Sequence, residues 1–244
     1  MTAPLFLADL DRPQIGQTVV VTGDEGRHAV VVRRIRTGET VLVSDGAGQA
    51  VRGEVTATDK PGLSVRVDEV LAEPAPSLSF VAVQALAKGD RSELAIEMLT
   101  EIGVDEVVPW AAERSIVKWA PERLERALAR WRATVREATK QSRRFRVPVV
   151  SLPVDDMHLT ARIPTATLAL VLHEDAAIHI SEVDVPASGE VLIVIGPEGG
   201  IAPAELEAFV NAGAKAVRIA DAVLRTSTAG VVAVGQLRAL AKAR

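Results

Sequence analysis

Residues 191–200 have the sequence VLIVIGPEGG, in which an unbroken apolar run passes directly into a turn with three glycines and a proline. A continuous apolar run such as Val191–Ile195 is typical of a parallel strand that is buried on both faces of a sheet. The glycines of the turn leave the backbone bare, so its N–H and C=O groups can approach a ligand closely. The stretch therefore predicts an α/β sheet with a binding loop at the carboxyl end of one strand.

Strands and helices alternate on both sides of this stretch, from Leu78 to the end of the chain. Alternation of this kind predicts an α/β fold with a mostly parallel sheet. The predicted strands are Ser79–Ala85, Val104–Pro109, Ala166–Leu172, Val191–Ile195 and Ala216–Ala220. The predicted helices are Asp90–Ile102, one opening at Pro121, Pro203–Asn211 and one from about Thr226.

The first 72 residues follow a different pattern, with short β-rich runs separated by turn signals such as Lys60-Pro61-Gly62. Spacing of this kind favours a small β-barrel, with one helical turn at Glu25–Val32. The segment 71–77, LAEPAPS, carries two prolines and predicts an extended linker. We therefore expect two domains, 1–72 and 78–244. The predicted strands of the first are Gln17–Val21, Glu39–Ser44, Ala50–Ala57 and Leu63–Val70.

The composition excludes several classes of protein. The chain of 244 residues is 48% hydrophobic and 25% charged, a globular balance. It has no cysteine, which excludes disulfides, thiolate zinc sites and a cysteine nucleophile. It has no H-E-x-x-H, calcium-loop or G-x-S-x-G pattern, so we expect neither a metal site nor a serine hydrolase. An acidic N-terminus without a long apolar run predicts a cytoplasmic protein that does not span a membrane.

Positive charge is concentrated in one part of the chain. Residues 113–146 hold 11 Lys and Arg against 4 Asp and Glu, while the whole chain has a net charge of −4. This excess favours contact with phosphates, although a merely solvated helix face would show the same pattern. The candidate RNA-contacting residues there are Arg123, Arg126, Arg130, Arg136, Lys140, Arg143 and Arg144. Arg33, Arg34 and Arg36 are further candidates in the first domain.

Three loops follow predicted strands and are the places where a parallel sheet binds ligands. They begin at His173, Gly196 and Asp221. The glycine-rich loop is neither a dinucleotide fingerprint nor a P-loop, because the spacing differs and no Gly-Lys-Ser/Thr follows. The third contains LRTSTA at 224–229, where Thr226 is a candidate helix N-cap. An ordinary strand-to-helix turn and a simple cap remain possible for these two loops.

The two segments VLIVIGPEGG and LRTSTA, at this separation near the C-terminus, resemble the SPOUT methyltransferases. More narrowly they resemble the ribosomal RNA small-subunit methyltransferase E family. KGDRSE at 88–93, EIGVDEVVP at 101–109 and QSRR at 141–144 also resemble segments of that family. So do residues 28–36 and Asp45-Gly46, and the resemblance therefore covers nearly the whole chain.

The resemblance implies a fold and an activity. The N-terminal domain would be a PUA-like RNA-binding β-barrel, and the C-terminal domain would carry a trefoil knot. S-adenosyl-L-methionine would bind in the knot. Members act as homodimers and methylate N3 of a uridine in the 16S ribosomal RNA of the small ribosomal subunit.

Carried over by position, the resemblance also implies site residues. The cofactor-binding residues would be Leu172, His173, Gly196, Glu198, Gly199, Gly200, Ile219, Leu224, Thr226 and Ala229. Arg225 would lie near the methyl group and the target base, and Glu198 would act as a base or brace the loop. The family usually has glutamate where this chain has Ser227, which weakens any assignment of a proton acceptor there.

Two other functions share some of these features. Another SPOUT enzyme, acting on the ribose of 23S or transfer RNA, would keep the cofactor loops but differ in its first domain. A non-catalytic RNA-binding protein would keep the basic helix but would not need the Gly196–Gly200 loop.

Overall fold

The structure, a computed structural model, describes residues 3–59 and 62–242 and divides into two compact units. The first comprises Met1–Ala75 and Arg136–Val147, and the second comprises Pro76–Val135 and Pro148–Arg244. The predicted second domain, 78–244, thus includes a segment that belongs to the first unit. The sequence pattern does not reveal this, because the helical periodicity continues across residue 135.

The first unit is built on one five-stranded sheet. Its elements in chain order are β1 (Leu5–Leu7), β2 (Thr18–Val21), α1 (Gly23–Arg27), β3 (Thr40–Ser44), β4 (Gln49–Asp59) and β5 (Gly62–Ala72). The strand order is β1-β3-β4-β5-β2, with β1 parallel to β3 and the other pairs antiparallel. The predicted helical turn is α1 followed by a π-helical turn at His28–Val32.

The predicted strands of the first unit are present, and the differences are local. β1 was not predicted, because three residues are too few to show a strand periodicity. β5 extends to Ala72, two residues past the predicted end of the strand. Of the predicted turn before it, Lys60 and Pro61 lie outside the described residues.

Valines that alternate along the strands form the core of the first unit. Val41, Val43, Val51 and Val65 are completely buried. A bulge in β4 follows Arg52, and a Cβ atom at Gly53 would overlap the backbone carbonyl of Arg66 on β5. Glycine is therefore required where β4 and β5 approach most closely.

Residues 145–147 are joined to the first unit by backbone hydrogen bonds. The Val147 N–H donates to the Gly46 carbonyl at 2.9 Å, and the Phe145 carbonyl accepts from the Gly48 N–H at 3.0 Å. The Arg146 guanidinium donates twice to the Glu73 carbonyl, at 3.1 and 2.9 Å. These contacts explain why a segment distant in sequence belongs to this unit.

The second unit is an α/β structure with a seven-stranded sheet. Its first elements are β6 (Leu78–Ala85), α2 (Arg91–Ile102), β7 (Glu106–Trp110), α3 (Leu124–Ser142, of which the part from Arg136 belongs to the first unit), β8 (Val149–Val150) and α4 (Asp156–Arg162). They are followed by β9 (Leu168–Leu172), β10 (Ile178–His179), β11 (Gly189–Ile195), α5 (Pro203–Asn211), β12 (Lys215–Arg218) and α6 (Thr226–Lys242).

All paired strands of the larger sheet are parallel, which confirms the predicted α/β architecture. The order is β10-β12-β9-β11-β6-β7-β8, so that β11 lies between β9 and β6. Every residue of Val191–Ile195 is buried. Val191–Ile195 therefore belongs to a central strand, as its continuous apolar run predicts.

The core on one face of this sheet contains branched side chains and two aromatic rings. Trp110 and Phe209 are completely buried and meet edge to face, with ring centroids 5.4 Å apart. Gln84 on β6 is also completely buried, which is unusual for a polar residue in a central strand.

An ionic cluster lies at the amino edge of the same sheet, where β7 and β11 begin. Arg162 donates to both carboxylate oxygens of Glu106, at 2.9 and 2.7 Å, and to Glu190 at 3.3 Å. Ser151 also donates to Glu106, at 2.5 Å. Burial alone would raise the pKa of Glu106, but the hydrogen bonds from Arg162 and Ser151 outweigh burial and lower it.

Among residues 3–59 and 62–242, no helix combines the length and the apolar character needed to cross a bilayer.

Candidate functional site

Three loops meet at the carboxyl edge of the larger sheet. They follow β9, β11 and β12, which are adjacent in the order β12-β9-β11. The loops enclose a cavity of about 290 Å³. This is the position in which parallel sheets bind ligands, at the carboxyl ends of the strands.

The cavity collects most of the residues that the resemblance implies for cofactor binding. Nine of the ten line it, namely Leu172, His173, Gly196, Glu198, Gly200, Ile219, Leu224, Thr226 and Ala229. Arg225, the expected catalytic residue, lines it as well. Gly199 does not line the cavity; it packs against Arg114, whose guanidinium lies 3.4 Å from the Gly199 carbonyl.

The backbone of the glycine-rich loop forms one wall of the cavity. A Cβ atom at Gly196 would lie 2.7 Å from the Ile201 side chain, so the backbone could not keep its position with a larger residue. Gly200 has a φ of +72°, in the left-handed region that glycine adopts without strain. Exposed backbone N–H and C=O groups can hydrogen-bond the edge of a nucleoside base, and in this respect the cavity fits a nucleoside cofactor.

Thr226, at the wall of the cavity, connects the second and third loops. Its hydroxyl donates to the Gly196 carbonyl at 2.7 Å and accepts from the Gln84 amide nitrogen at 3.0 Å. The predicted N-cap role is therefore wrong. The Arg225 carbonyl accepts the first helical bonds, from the Thr228 and Ala229 N–H groups, which puts Arg225 in the cap position.

Gln84 is a residue of the site that sequence reasoning missed. Its amide nitrogen donates to Thr226 and also to the Ala85 carbonyl at 3.2 Å. The signal that could have found it is a glutamine inside an otherwise apolar central strand, because such a buried amide needs hydrogen-bond partners.

Glu198 braces the loop in this structure. Its Oε1 accepts from the Lys88 backbone N–H at 3.3 Å and lies 3.7 Å from the Arg91 guanidinium. Both contacts tie the carboxylate to the segment that follows β6. Of the two roles considered for Glu198, bracing is therefore the better supported.

Glu205 anchors the segment that follows the loop. It is 3% exposed and stands in the first turn of α5. One oxygen accepts from the Glu113 N–H at 2.6 Å and the other from the Ala202 N–H at 2.8 Å. Burial raises the pKa of Glu205, against the effect of these two donors.

His173 fixes the first loop. Its N–H donates to the Val217 carbonyl at 3.0 Å, and its ring Nδ1 accepts from the Asp175 N–H at 3.2 Å. The ring is thus held at the wall of the cavity by its own turn. Among the residues that the structure describes, no group of three His, Cys, Asp or Glu side chains is placed to hold a metal ion.

The basic residues of α3 and of the turn before it have different environments. Arg123, Arg126 and Arg136 are exposed. Arg130 contacts the Glu93 carboxylate at 2.5 Å, but its side chain is 63% exposed. Lys140, whose side chain is 9% exposed, contacts Glu25 at 3.1 Å and Glu137 at 2.7 Å. The positive charge of Lys140 is therefore engaged within the protein, and we remove it from the set of phosphate-contacting candidates, whereas the exposed Arg130 stays in that set.

The first unit has a polar cleft of its own, with a volume of about 290 Å³. Its lining includes His28, Arg33 and Arg143, which sequence reasoning did not place together.

Arg143 and Arg34 have positive φ angles of 56° and 54°, which is rare for residues other than glycine. Such strain is retained where the surrounding structure or the function requires it. Arg34 and Arg36 are exposed, and Arg144 is partly buried.

Two protein-family profiles match the chain. One, described as an RNA methyltransferase domain, matches residues 74–238. The other, described as an RNA methyltransferase PUA domain, matches residues 21–68.

Two relatives that match nearly the full length carry the same name. The Ribosomal RNA small subunit methyltransferase E of Mycobacterium bovis is 44% identical, over 98% of this chain and 93% of the relative. The protein of the same name from Bacillus subtilis is 28% identical, over 95% and 94%.

Two solved structures have the same fold. The Neisseria gonorrhoeae Ribosomal RNA small subunit methyltransferase E, bound to S-adenosyl methionine, aligns with a TM-score of 0.88 and 28% identity, over 98% of each chain. A Legionella pneumophila methyltransferase in complex with the same cofactor aligns with a TM-score of 0.87 and 26% identity, also over 98% of each.

Proposed function

The chain belongs to the ribosomal RNA small subunit methyltransferase E family, and from that premise we propose that it methylates N3 of a uridine in 16S ribosomal RNA, with S-adenosylmethionine as the methyl donor. The observation that carries the proposal is the cavity at the carboxyl edge of the sheet, which brings together three loops that are distant in sequence. An RNA-binding protein without an activity would not need this cavity.

The cofactor would be held by Gly196, Gly200, Ile219 and Leu224 at the cavity wall, with Thr226 and Ala229 at the start of α6. Relatives solved with bound S-adenosylmethionine support this assignment. When bound, the cofactor supplies a sulfonium methyl group that is transferred by in-line displacement. The contribution of the protein is chiefly to position the reactants, which the hydrogen bonds through Thr226 and Gln84 provide.

The target atom sets the electrostatic requirement of the reaction. N3 of neutral uridine carries a proton, and its loss leaves negative charge on the base. Arg225 is exposed, lines the cavity and carries a permanent positive charge, so it is suited to stabilise this anion. Glu198 holds the Lys88 N–H and faces Arg91, and we assign it to loop bracing rather than to proton transfer.

RNA would contact exposed cationic side chains. In the first unit, Arg33 and Arg143 share a cleft with His28, which supports a phosphate-binding role there. The other candidates are the exposed Arg123, which precedes α3, and Arg126, Arg130 and Arg136 on α3. The match of residues 21–68 to an RNA methyltransferase PUA domain supports RNA binding by the first unit.

We further propose that the second unit has the trefoil knot of SPOUT enzymes and that the protein acts as a homodimer on the small subunit in the cytoplasm. Two features support the knot. β11 lies between β9 and β6, and the chain returns after β12 so that Thr226 bonds to the loop after β11. A homodimer is the assembly that the family resemblance implies.

Nucleoside analysis tests the function directly. We expect 16S ribosomal RNA from a deletion strain to lack one N3-methyluridine, and a plasmid with the wild-type gene to restore it. An Arg225→Ala plasmid should not restore it. Unchanged N3-methyluridine in the deletion strain would overturn the proposal, and loss of a ribose methyl group from 23S or transfer RNA would support the alternative enzyme.

A further inference from the structure

A second cavity, which we call the tryptophan pocket, lies at the carboxyl edge of the sheet beyond β6 and β7. It has a volume of about 170 Å³ and is lined by Ala87, Gly89, Ser92, Glu93, Val117, Trp119, Ala127, Arg130 and Trp131. It shares no lining residue with the cofactor cavity. The established family features described above do not account for it.

Aromatic rings form one wall of the tryptophan pocket. Trp119 and Trp131 meet edge to face, with ring centroids 5.1 Å apart. Trp131 is 2% exposed and belongs to the packing of α3, whereas Trp119 is only partly buried. A partly exposed indole in a cavity offers a face on which a flat ring can stack.

An ion pair supplies the polar groups of the pocket. Arg130 binds Oε1 of Glu93 at 2.5 Å, and Oε2 of Glu93 is buried with no hydrogen-bond partner in residues 3–59 and 62–242. A buried carboxylate oxygen without a donor is costly, and a ligand N–H group would relieve that cost. Arg130 has further N–H donors for a neighbouring carbonyl of the same ligand.

The pair is electrically neutral, and this limits the kind of ligand. A phosphate would meet the unpartnered Glu93 oxygen and be repelled, so the pocket favours an uncharged flat ring. Its edge must carry an N–H donor next to a carbonyl acceptor. Uracil has this edge, with N3–H between two carbonyl oxygens.

The tryptophan pocket lies beside the cofactor cavity. β6 is the neighbour of β11 in the sheet, so the loops that follow these two strands are adjacent. The Lys88 N–H binds Glu198, which lines the cofactor cavity, and the next residue, Gly89, lines the tryptophan pocket. A single residue step thus separates the walls of the two cavities.

We propose that, before methyl transfer, the tryptophan pocket binds a uracil base of the RNA substrate, with N3–H donated to Glu93 Oε2, a carbonyl accepting from Arg130, and the ring stacked on Trp119; the base then leaves the pocket so that N3 can face the methyl group. The proposal rests on the proposed function, because it takes uridine as the substrate base. It assigns Glu93, Arg130 and Trp119 to base recognition. It also has a consequence: N3-methyluridine lacks the N–H donor, so the pocket rejects the methylated product.

The test is ligand-observed NMR titration of the full-length protein with uridine 5′-monophosphate and its N3-methyl derivative. We expect the wild type to bind uridine monophosphate about tenfold more tightly than the derivative, the effect of one lost hydrogen bond to a charged group. Trp119→Ala should weaken uridine monophosphate binding about tenfold, by loss of stacking.

Glu93→Gln gives the sharper comparison. Arg130 would hold the amide oxygen, so the amide nitrogen would face N3–H and two donors would oppose each other. We expect at least a tenfold loss of affinity for uridine monophosphate. Glu97→Gln is the matched control, because Glu97 is exposed one turn further along α2 and does not line the pocket.

The outcomes separate this proposal from the proposed function. If the wild type methylates 16S ribosomal RNA but binds no uridine monophosphate, or binds the N3-methyl derivative equally well, the pocket proposal is wrong and the function stands. Equal affinity of wild type and Glu93→Gln would also overturn it. If the protein binds uridine monophosphate selectively but does not methylate uridine, the pocket proposal stands and the proposed function is wrong.

Discussion

The two edges of the seven-stranded sheet differ in structure, although the same strands form both: one edge carries an ion-pair cluster and the other a cavity. At the amino edge, Arg162 joins Glu106 and Glu190, and charged side chains satisfy one another. At the carboxyl edge, loops with bare backbone enclose a cavity, and side-chain hydrogen bonds such as that from Thr226 to Gly196 hold the loops together. A parallel sheet can thus separate stability from function, because each edge is built from a different set of residues.

One arginine at each edge makes the comparison testable. Arg225 lines the cavity, whereas Arg162 is partly buried among carboxylates. We expect Arg225→Ala to lower kcat about 100-fold or more, because it removes a charge that faces the developing anion. Affinity for S-adenosylmethionine and the urea midpoint should stay near wild type. A fully active variant would show that the carboxyl-edge arginine takes no part in the reaction.

Arg162→Met should have the reverse phenotype. Removing the guanidinium leaves two partly buried carboxylates side by side, and we expect a loss of about 2 kcal/mol in the free energy of unfolding. The lowered pKa of Glu106 sets the pH dependence: its stabilising effect is present above the ordinary glutamate pKa and is lost as the pH falls through the lowered value. The difference between wild type and variant should therefore shrink in acid.

Urea titrations of both proteins at several pH values measure this, and methylation per folded molecule is the second readout. Activity that falls along with stability would show that the two edges are coupled.

Strand periodicity predicted the sheet and the position of the cofactor loops, since continuous apolar runs report buried parallel strands. Tertiary partners could not be predicted. Lys140 belongs to the same basic helix face as the exposed cations, yet Glu25, which is distant in sequence, neutralises it. Gln84 donates to the Thr226 hydroxyl and Glu205 accepts from the Glu113 N–H, and only the fold brings these partners near.

A substitution of Thr226 tests whether the shape of the cavity wall depends on the hydrogen bonds between its loops. Thr226→Val keeps the shape but removes the hydrogen bonds to Gly196 and Gln84. We expect about a tenfold loss of S-adenosylmethionine affinity, since a displaced Gly196 carbonyl alters the cavity wall. Calorimetric titration measures the affinity, and Thr226→Ser, which retains the hydroxyl, should restore it. If Thr226→Val binds the cofactor normally, the loop holds its shape without this support.

Substitution of Glu205 should have the smallest effect on the free energy of unfolding, and its pH dependence should contrast most clearly with that of Glu106. Glu106 is partly buried and Glu205 is buried, but no cation among residues 3–59 and 62–242 pairs with Glu205, and burial raises its pKa. A folded-state pKa above the unfolded value means that the folded protein binds the extra proton, so its stability falls as the pH rises from about 4.5 through the raised pKa.

Glu205→Gln removes this titration and leaves one of the two backbone donors, Glu113 or Ala202, without an acceptor. We expect a loss of about 1 kcal/mol in acid, which becomes smaller towards neutral pH. The pH trend is opposite to that of Arg162→Met, although both variants disturb a buried carboxylate at an edge of one sheet. Urea titrations of the two variants over the same pH series decide the matter, and parallel trends would mean that the charge of Glu205 is stabilised in the folded protein as that of Glu106 is.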